Sequence, residues 1–202
     1  MSTIIDGKGL ALKLRSKIKE EVSQFKNEGH RSPHLAAILV GDDGASQTYV
    51  ASKERDCQFV GFESTVHKLP ADTSEQALLD LISSINATDS IDGLIVQLPL
   101  PKHMDASKIT EAIDPRIDVD GFHTISVGRL TKNEDTYISA TPFGVMMMLA
   151  EYGIETKGKH CVVIGRSNIV GRPMSILMSR GGYPGESTVT LCHRYTQDLA
   201  SH

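Results

Sequence analysis

The sequence predicts an α/β fold in two units, each built on a parallel sheet. Three observations predict it. Short apolar runs closed by turn residues alternate with amphipathic stretches of helical spacing. A glycine-bearing turn, Gly165 to Gly171, lies between one such run and one such stretch. The alternation breaks once, over residues 99–140, which are rich in Pro, Asp, Gly and Thr.

Residues 7–29 carry Leu10, Leu12, Leu14, Ile18, Val22 and Phe25 at mostly helical spacing among lysines and glutamates, and Gly29 stands where a helix stops. Residues 35–40 are continuously apolar and end in Gly41-Asp42-Asp43-Gly44, the pattern of a strand buried on both faces. The cycle then repeats as a helix over 45–60, a strand over 62–67, a helix over 74–86 and a strand over 91–97. Residues 99–140 read as a long irregular connection, the kind of segment that carries function. Beyond it come a helix over 141–152, a strand over 160–164, the glycine turn, a helix over 170–180 and a strand over 189–191. Alternating strands and helices imply parallel pairing with helices on both faces. The division expected is residues 1–139 for one unit and 140–202 for the other. Two parallel strands and their crossover cannot cover both faces of an open sheet, so the second unit is expected to be incomplete on its C-terminal side.

Composition narrows the function classes. A formal net charge of −4 over 202 residues gives no electrostatic reason to expect nucleic acid or an anionic membrane as partner. Tryptophan is absent and aromatics are 5%, which argues against stacking platforms for single-stranded nucleic acid. Cys57, Cys161 and Cys192 are widely spaced, with no C-x-x-C pair, which fits reduced thiols better than a disulfide framework. No apolar run suits a signal peptide or a membrane span, so a cytoplasmic protein is expected.

Four motifs carry candidate chemistry. In Tyr49-Val50-Ala51-Ser52-Lys53 the tyrosine and lysine are four apart on a helix and share a face, with Cys57 one turn further on. That helix follows a strand end, so the face can look into the crevice at the carboxyl edge of the sheet. The bland reading is a partly buried tyrosine beside a solvated lysine. Tyr-x-x-x-Lys is also a signature of short-chain dehydrogenases, but there it follows the nucleotide turn, whereas here it precedes that turn by more than a hundred residues. Gln97 closes the apolar run 91–97 just before Pro99 and Pro101, a polar amide at the carboxyl end of a central strand, where α/β proteins place ligand contacts. It could equally bond its own loop. Asp114, Asp118 and Asp120 invite a metal reading. A calcium loop placing Asp118 and Asp120 at its third and fifth positions would start at Arg116 and end at Val127, neither of which supplies a carboxylate. No His-Glu-x-x-His occurs among the eight histidines, so no metal is expected. Asp120 remains either a lone carboxylate facing an organic ligand or a turn cap. The fourth motif is Val162-Val163-Ile164-Gly165-Arg166-Ser167-Asn168-Ile169-Val170-Gly171-Arg172-Pro173. A strand meets a glycine turn that opens a helix, an anion site made of backbone N–H groups and the helix dipole. It marks the second unit as a Rossmann-like nucleotide-binding domain, although Ser167 stands in place of the middle glycine and Gly171 comes one residue late. The strand 189–191 runs into Cys192-His193-Arg194 with no acid for ribose hydroxyls. Arg166 and Arg194 could both reach a 2′-phosphate, or be solvated surface charges.

The stretches LAAILVGDDGASQTYVASKERDC, GLIVQLPLPKH, DVDGFH, GRSNIVGRPM and TVTLCHRYT, in this order and spacing, resemble the bifunctional methylenetetrahydrofolate dehydrogenase/methenyltetrahydrofolate cyclohydrolase family. The resemblance implies a cytoplasmic, homodimeric enzyme of one-carbon metabolism, with a tetrahydrofolate derivative in the cleft and NADP on the second domain. The implied reactions are oxidation of 5,10-methylenetetrahydrofolate to the methenyl form and hydrolysis to 10-formyltetrahydrofolate. Matched by position, Lys53 is the catalytic lysine, Tyr49 lies over the folate, Gln97 positions Lys53 and Asp120 holds the pterin. Gly165, Arg166, Ser167, Ile169 and Gly171 line the NADP turn. A lysine ammonium is no base, but a cationic substrate a few ångströms away, with partial desolvation, favours the neutral amine that can be one. Three positions depart from the family pattern: Ser126 stands for the usual Asn, Thr124 for a common Pro, and Arg194 for the usual Ser after Cys-His. The alternatives are a monofunctional dehydrogenase and a non-catalytic, dimerising folate-binding fragment. Retention of both Lys53 and Gln97 argues against the first.

Overall fold

A computed structural model describes residues 2–202. Chain contacts divide it into two units, one of Ala11–Val119 and the other of the segment ending at Leu10 together with Asp120–His202.

The Ala11–Val119 unit holds most of helix α1 (Gly7–Asn27), then β1 (His34–Val40), α2 (Gly44–Val60), β2 (Glu63–Leu69), α3 (Glu75–Asn86), β3 (Gly93–Val96) and α4 (Ala106–Glu111). Its sheet is parallel with order β2-β1-β3. The central strand β1 is the continuous apolar run, and Ala36 to Val40 are all buried. One of its faces, through Ala36, Ile38 and Val40, joins Leu78, Ile82 and Ile85 of α3 and Leu94 and Val96 of β3 in a single core. Alternation along the strand sends Ala37 and Leu39 to the other face, the side packed by α2. Helix α2 starts where the sequence places a turn, because the Asp43 side chain accepts from the Ser46 N–H at 2.8 Å. Ser74 caps α3 in the same way through the Ala77 N–H. Strand β3 is shorter than its apolar run, so Gln97 falls just past its end, yet the Gln97 N–H still donates to the Ile38 carbonyl at 2.9 Å.

The second unit contains α5 (Thr124–Thr131), α6 (Ala140–Glu151), β4 (His160–Ile164), α7 (Gly171–Ser179) and β5 (Thr188–Cys192), ending in a short 3-10 turn over Leu199–Ser201. Strands β4 and β5 pair in parallel, His160 opposite Thr188 through Ile164 opposite Cys192. Leu130, Met146, Leu177 and Met178 form its core.

The connection 99–140 is less irregular than its composition suggests, since it contains α4 and α5. Six- and eight-residue helices are too short to print a hydrophobic period, and their caps are the better signal. Asp105 caps α4 by accepting from Ser107 and Lys108 N–H groups. His123 caps α5, its Nδ1 accepting from the Ile125 N–H at 3.0 Å. Thr124 is therefore the first helical residue, a position where proline also suits the backbone. Among the described residues no helix is long and apolar enough to cross a membrane.

Candidate functional site

The carboxyl edge of the first sheet brings two of the expected residues together. Lys53, on the third turn of α2, donates from Nζ to Gln97 Oε1 at 3.2 Å. The other end of the amide is occupied, because Gln97 Nε2 donates to the Leu98 carbonyl at 2.8 Å. That second bond aims the carbonyl oxygen at the lysine. Both side chains are half-buried, while Tyr49, one turn earlier on the same face, is 63% exposed and presents its ring to solvent. One turn later the face becomes core: Cys57 is buried, and burial pushes its thiol up from the usual range against a Ser64 hydrogen bond that lowers it. A thiol pushed toward its protonated form is a poorer nucleophile, which leaves Lys53 and Tyr49 as the candidates for chemistry on this face.

Asp118 and Asp120 lie where the chain passes from one unit to the other. Leu94 of β3 donates to the Ile117 carbonyl at 2.8 Å, and Asp118 forms an isolated parallel bridge with Leu94, its side chain 1% exposed. Asp120 is half-buried and precedes Gly121, whose φ of +66° and close approach to the Tyr137 carbonyl leave no room for a side chain. The tight turn after Asp120 is therefore fixed by backbone sterics. Among the described residues no group of three or more His, Cys, Asp or Glu side chains gathers to hold a metal.

In the second unit the turn after β4 is built on backbone crossing backbone. A Cβ on Gly171 would overlap the Gly165 carbonyl oxygen and lie 2.6 Å from its carbon, so α7 starts in contact with the turn only because residue 171 is glycine. Gly165 itself has φ +114° and donates to the Cys192 carbonyl at 2.8 Å. Ser167 accepts from the Val170 N–H at 3.0 Å and from the Gly171 N–H at 3.4 Å, and its carbonyl accepts from Arg172. The hydroxyl that replaces the middle glycine thus accepts from the N–H groups that lead into α7, engaging part of the N–H array that the sequence assigns to an anion. Arg166, Ser167 and Ile169 are exposed, and Arg194 leaves the chain just after β5, beside the same sheet edge. A close glycine crossing, an exposed turn and two cations at neighbouring strand ends suit a phosphate-bearing dinucleotide.

Sequence reasoning passed over two contributors. Ser139, 3% exposed, donates to the Ile169 carbonyl at 2.5 Å and so holds the glycine turn from outside it; a lone serine before a helix carries no signal for that role. Tyr195 lies with its ring centre 4.7 Å from the Arg194 guanidinium. Its signal was legible as an aromatic residue next to the arginine.

Two parallel-sheet units, one edged by a lysine–amide pair and the other by a glycine turn opening a helix, define an α/β protein of the two-domain dinucleotide-binding class. The model of the tetrahydrofolate dehydrogenase/cyclohydrolase catalytic domain matches residues 5–120, and that of the corresponding NAD(P)-binding domain matches residues 139–202. The chain belongs to the tetrahydrofolate dehydrogenase/cyclohydrolase family. The bifunctional protein FolD of Flavobacterium psychrophilum is 55% identical over 197 residues, which cover 98% of this chain and 67% of that protein. The crystal structure of the bifunctional enzyme FolD, a methylenetetrahydrofolate dehydrogenase/cyclohydrolase from Campylobacter jejuni, matches with a TM-score of 0.93 at 44% identity, covering 98% of this chain and 69% of that one. The FolD enzyme of Trypanosoma brucei, solved with NADP cofactor and inhibitor, matches with a TM-score of 0.90 at 31% identity, covering 97% of this chain and 66% of that one. The chain spans about two thirds of the length of the curated relatives it matches.

Proposed function

We propose that this chain carries out NADP-dependent oxidation of 5,10-methylenetetrahydrofolate to 5,10-methenyltetrahydrofolate and hydrolysis of the latter to 10-formyltetrahydrofolate. The observation that carries the reading is the Lys53 Nζ to Gln97 Oε1 hydrogen bond of 3.2 Å. Family membership supports the reaction class, and the lysine–amide pair supports the hydrolytic half. NADP, when bound, supplies the hydride acceptor, and the protein aligns the reacting rings.

For hydrolysis, Lys53 as a neutral amine takes a proton from the water whose oxygen attacks the methenyl carbon. Gln97 Oε1 fixes where the nitrogen sits. The new C–O bond forms at the expense of the amidinium charge. Breaking one C–N bond, with the carbinol O–H proton passing to the departing nitrogen as the carbonyl forms, leaves the formyl group on the other nitrogen, and the proton taken by Lys53 returns to solvent. Tyr49 offers an exposed ring one turn away for stacking against the folate, and Asp120 supplies a carboxylate for the pterin.

Gly165, Ser167, Ile169 and Gly171 would shape the seat of the pyrophosphate, with Arg166 and Arg194 meeting the 2′-phosphate. The functional division into a folate part, residues 1–139, and a cofactor part, 140–202, belongs to the same proposal, as do the homodimer and the cytoplasmic setting. Three free cysteines suit a reducing compartment.

Lys53→Met tests the chemistry. Cyclohydrolase activity should fall at least about a hundredfold, the low end of what a general base contributes, with NADP affinity retained. Hydrolysis of methenyltetrahydrofolate at the parental rate would remove Lys53 from the mechanism.

A further inference from the structure

We propose that Tyr195 is a positioning residue for cofactor choice: its ring carries the Arg194 guanidinium and holds it ready to distinguish a 2′-phosphate from a 2′-hydroxyl. The inference rests on the reading of the glycine turn and Arg194 as the NADP site, and it adds a residue to which that reading gives no role.

The turn that bears the pair is closed on itself. The Thr196 N–H donates to the His193 carbonyl at 2.8 Å, the His193 N–H donates to Thr196 Oγ1 at 2.8 Å, and the Tyr195 N–H donates to His193 Nδ1 at 3.2 Å. Three bonds within four residues fix the directions in which Arg194 and Tyr195 leave the backbone. The turn is also tied to the glycine turn, because the preceding carbonyl, that of Cys192, accepts from the Gly165 N–H. On this frame the Arg194 guanidinium carbon lies 4.7 Å from the Tyr195 ring centre. The His193 ring meets the same tyrosine edge-on, with centroids 6.1 Å apart and planes at 75°, so the tyrosine is steadied from its own neighbour.

The chemistry follows from which part of the arginine is used. A guanidinium held over the ring by its central carbon keeps the N–H groups that face away from the ring, the part that matches phosphate oxygens, available for a ligand. An exposed arginine otherwise samples many rotamers, and ordering it on binding costs affinity. A ring that already holds it removes part of that cost. Tyr195 is itself uncharged and 65% exposed, so its effect must pass through Arg194. It should therefore be felt by ligands with a 2′-phosphate and not by those without.

The test is titration calorimetry of the chain with 2′,5′-ADP and with 5′-AMP, the adenosine halves that differ by that phosphate. Tyr195→Leu should weaken 2′,5′-ADP by roughly two- to fivefold, the range of an exposed cation–π contact, and leave 5′-AMP at parental affinity. Tyr195→Phe, which keeps the ring, should restore parental preference. Arg194→Ala should reduce the preference by about tenfold or more, as expected for loss of a charge-assisted bond. If Arg194→Ala acts selectively while Tyr195→Leu binds both ligands as the parent does, the platform role is wrong and the phosphate reading stands. If Tyr195→Phe is as weak as Tyr195→Leu, the hydroxyl is responsible and the platform role is wrong again. If Arg194→Ala leaves the preference intact, the NADP reading on which the inference rests falls with it.

Discussion

The two sheet edges hold their functional groups by different means. At the first, a lysine and a glutamine touch each other, and both hang from elements packed into the core: α2, and the end of β3. At the second, the key contact is backbone against backbone, Gly171 on Gly165, and the charged side chains lie exposed on turns. The role proposed for Lys53, that of a general base, asks for placement to within a fraction of an ångström, which side chains hung from core-packed elements supply. A cofactor's phosphates are large, charged and met by many N–H groups, so the turn needs shape, and its cations can adjust.

Glycine substitution should break this contrast most visibly. Gly171→Ala places a methyl group on the Gly165 carbonyl, and backbone cannot yield as a side-chain tip does. The expected cost is about 1–3 kcal/mol, the range for overpacking, read as a lower thermal or urea midpoint. Gly144 in α6 faces open space at ordinary backbone angles, so Gly144→Ala should be neutral or stabilising by up to about 1 kcal/mol. Equal midpoints for the two variants would mean that the second edge is not held by this crossing.

The same contrast explains what could be read in the sequence. Strand β1 was legible because burial on both faces writes a continuous apolar run, whereas β4, whose bounds coincide with 160–164, is mostly half-buried or exposed and was legible from its apolar residues ahead of the glycine turn. Helices α4 and α5 were not, since so few turns leave no period and their stability rests on Asp105 and His123 as caps. For the site, Lys53 and Gln97 could be singled out by residue type and strand-end placement, but their contact depends on two segments 44 residues apart. Ser139 holds the glycine turn from outside the motif, a role that motif spacing does not encode, while Tyr195 lies within TVTLCHRYT and was legible only as an aromatic residue beside Arg194.

A smaller effect concerns the residue at which the second unit resumes. Asp120 lies just past the bridge between Asp118 and Leu94, in a turn that Gly121 keeps tight. If its carboxylate holds the pterin, Asp120→Ala should weaken a folate analogue more than tenfold, about 1.4 kcal/mol, in calorimetry. Unchanged affinity would return Asp120 to the role of a turn cap.

The smallest expected effect concerns the far end of the strand that Gln97 follows. Asp92 precedes β3, and its carboxylate takes a hydrogen bond from Arg31 Nη1 at 2.6 Å, another from Nη2 at 2.8 Å and a third from the His34 N–H at 2.8 Å. The Asp92 N–H in turn donates to the His34 carbonyl at 2.9 Å, which pins the start of β3 to β1. The Arg31 hydrogen bond, above all, holds the Asp92 carboxyl below the usual carboxylate range, with partial burial opposing it and the His34 N–H helping. A carboxyl depressed in the folded state contributes stability that is complete above its unfolded value, about pH 3.9, and disappears as pH falls through the lower folded value. Asp92→Asn should therefore cost on the order of 1 kcal/mol at neutral pH, limited by the exposure of the pair. The gap should shrink as the pH falls below about 3.9, where the unfolded parent takes up its proton, and close as the pH passes the lower folded value, where the native carboxylate loses its charge. Urea midpoints at the two pH values decide it. A gap that is the same in acid as at neutrality would show that the amide fails for reasons of shape. Strand register at the lysine-bearing edge would then owe nothing to this charge.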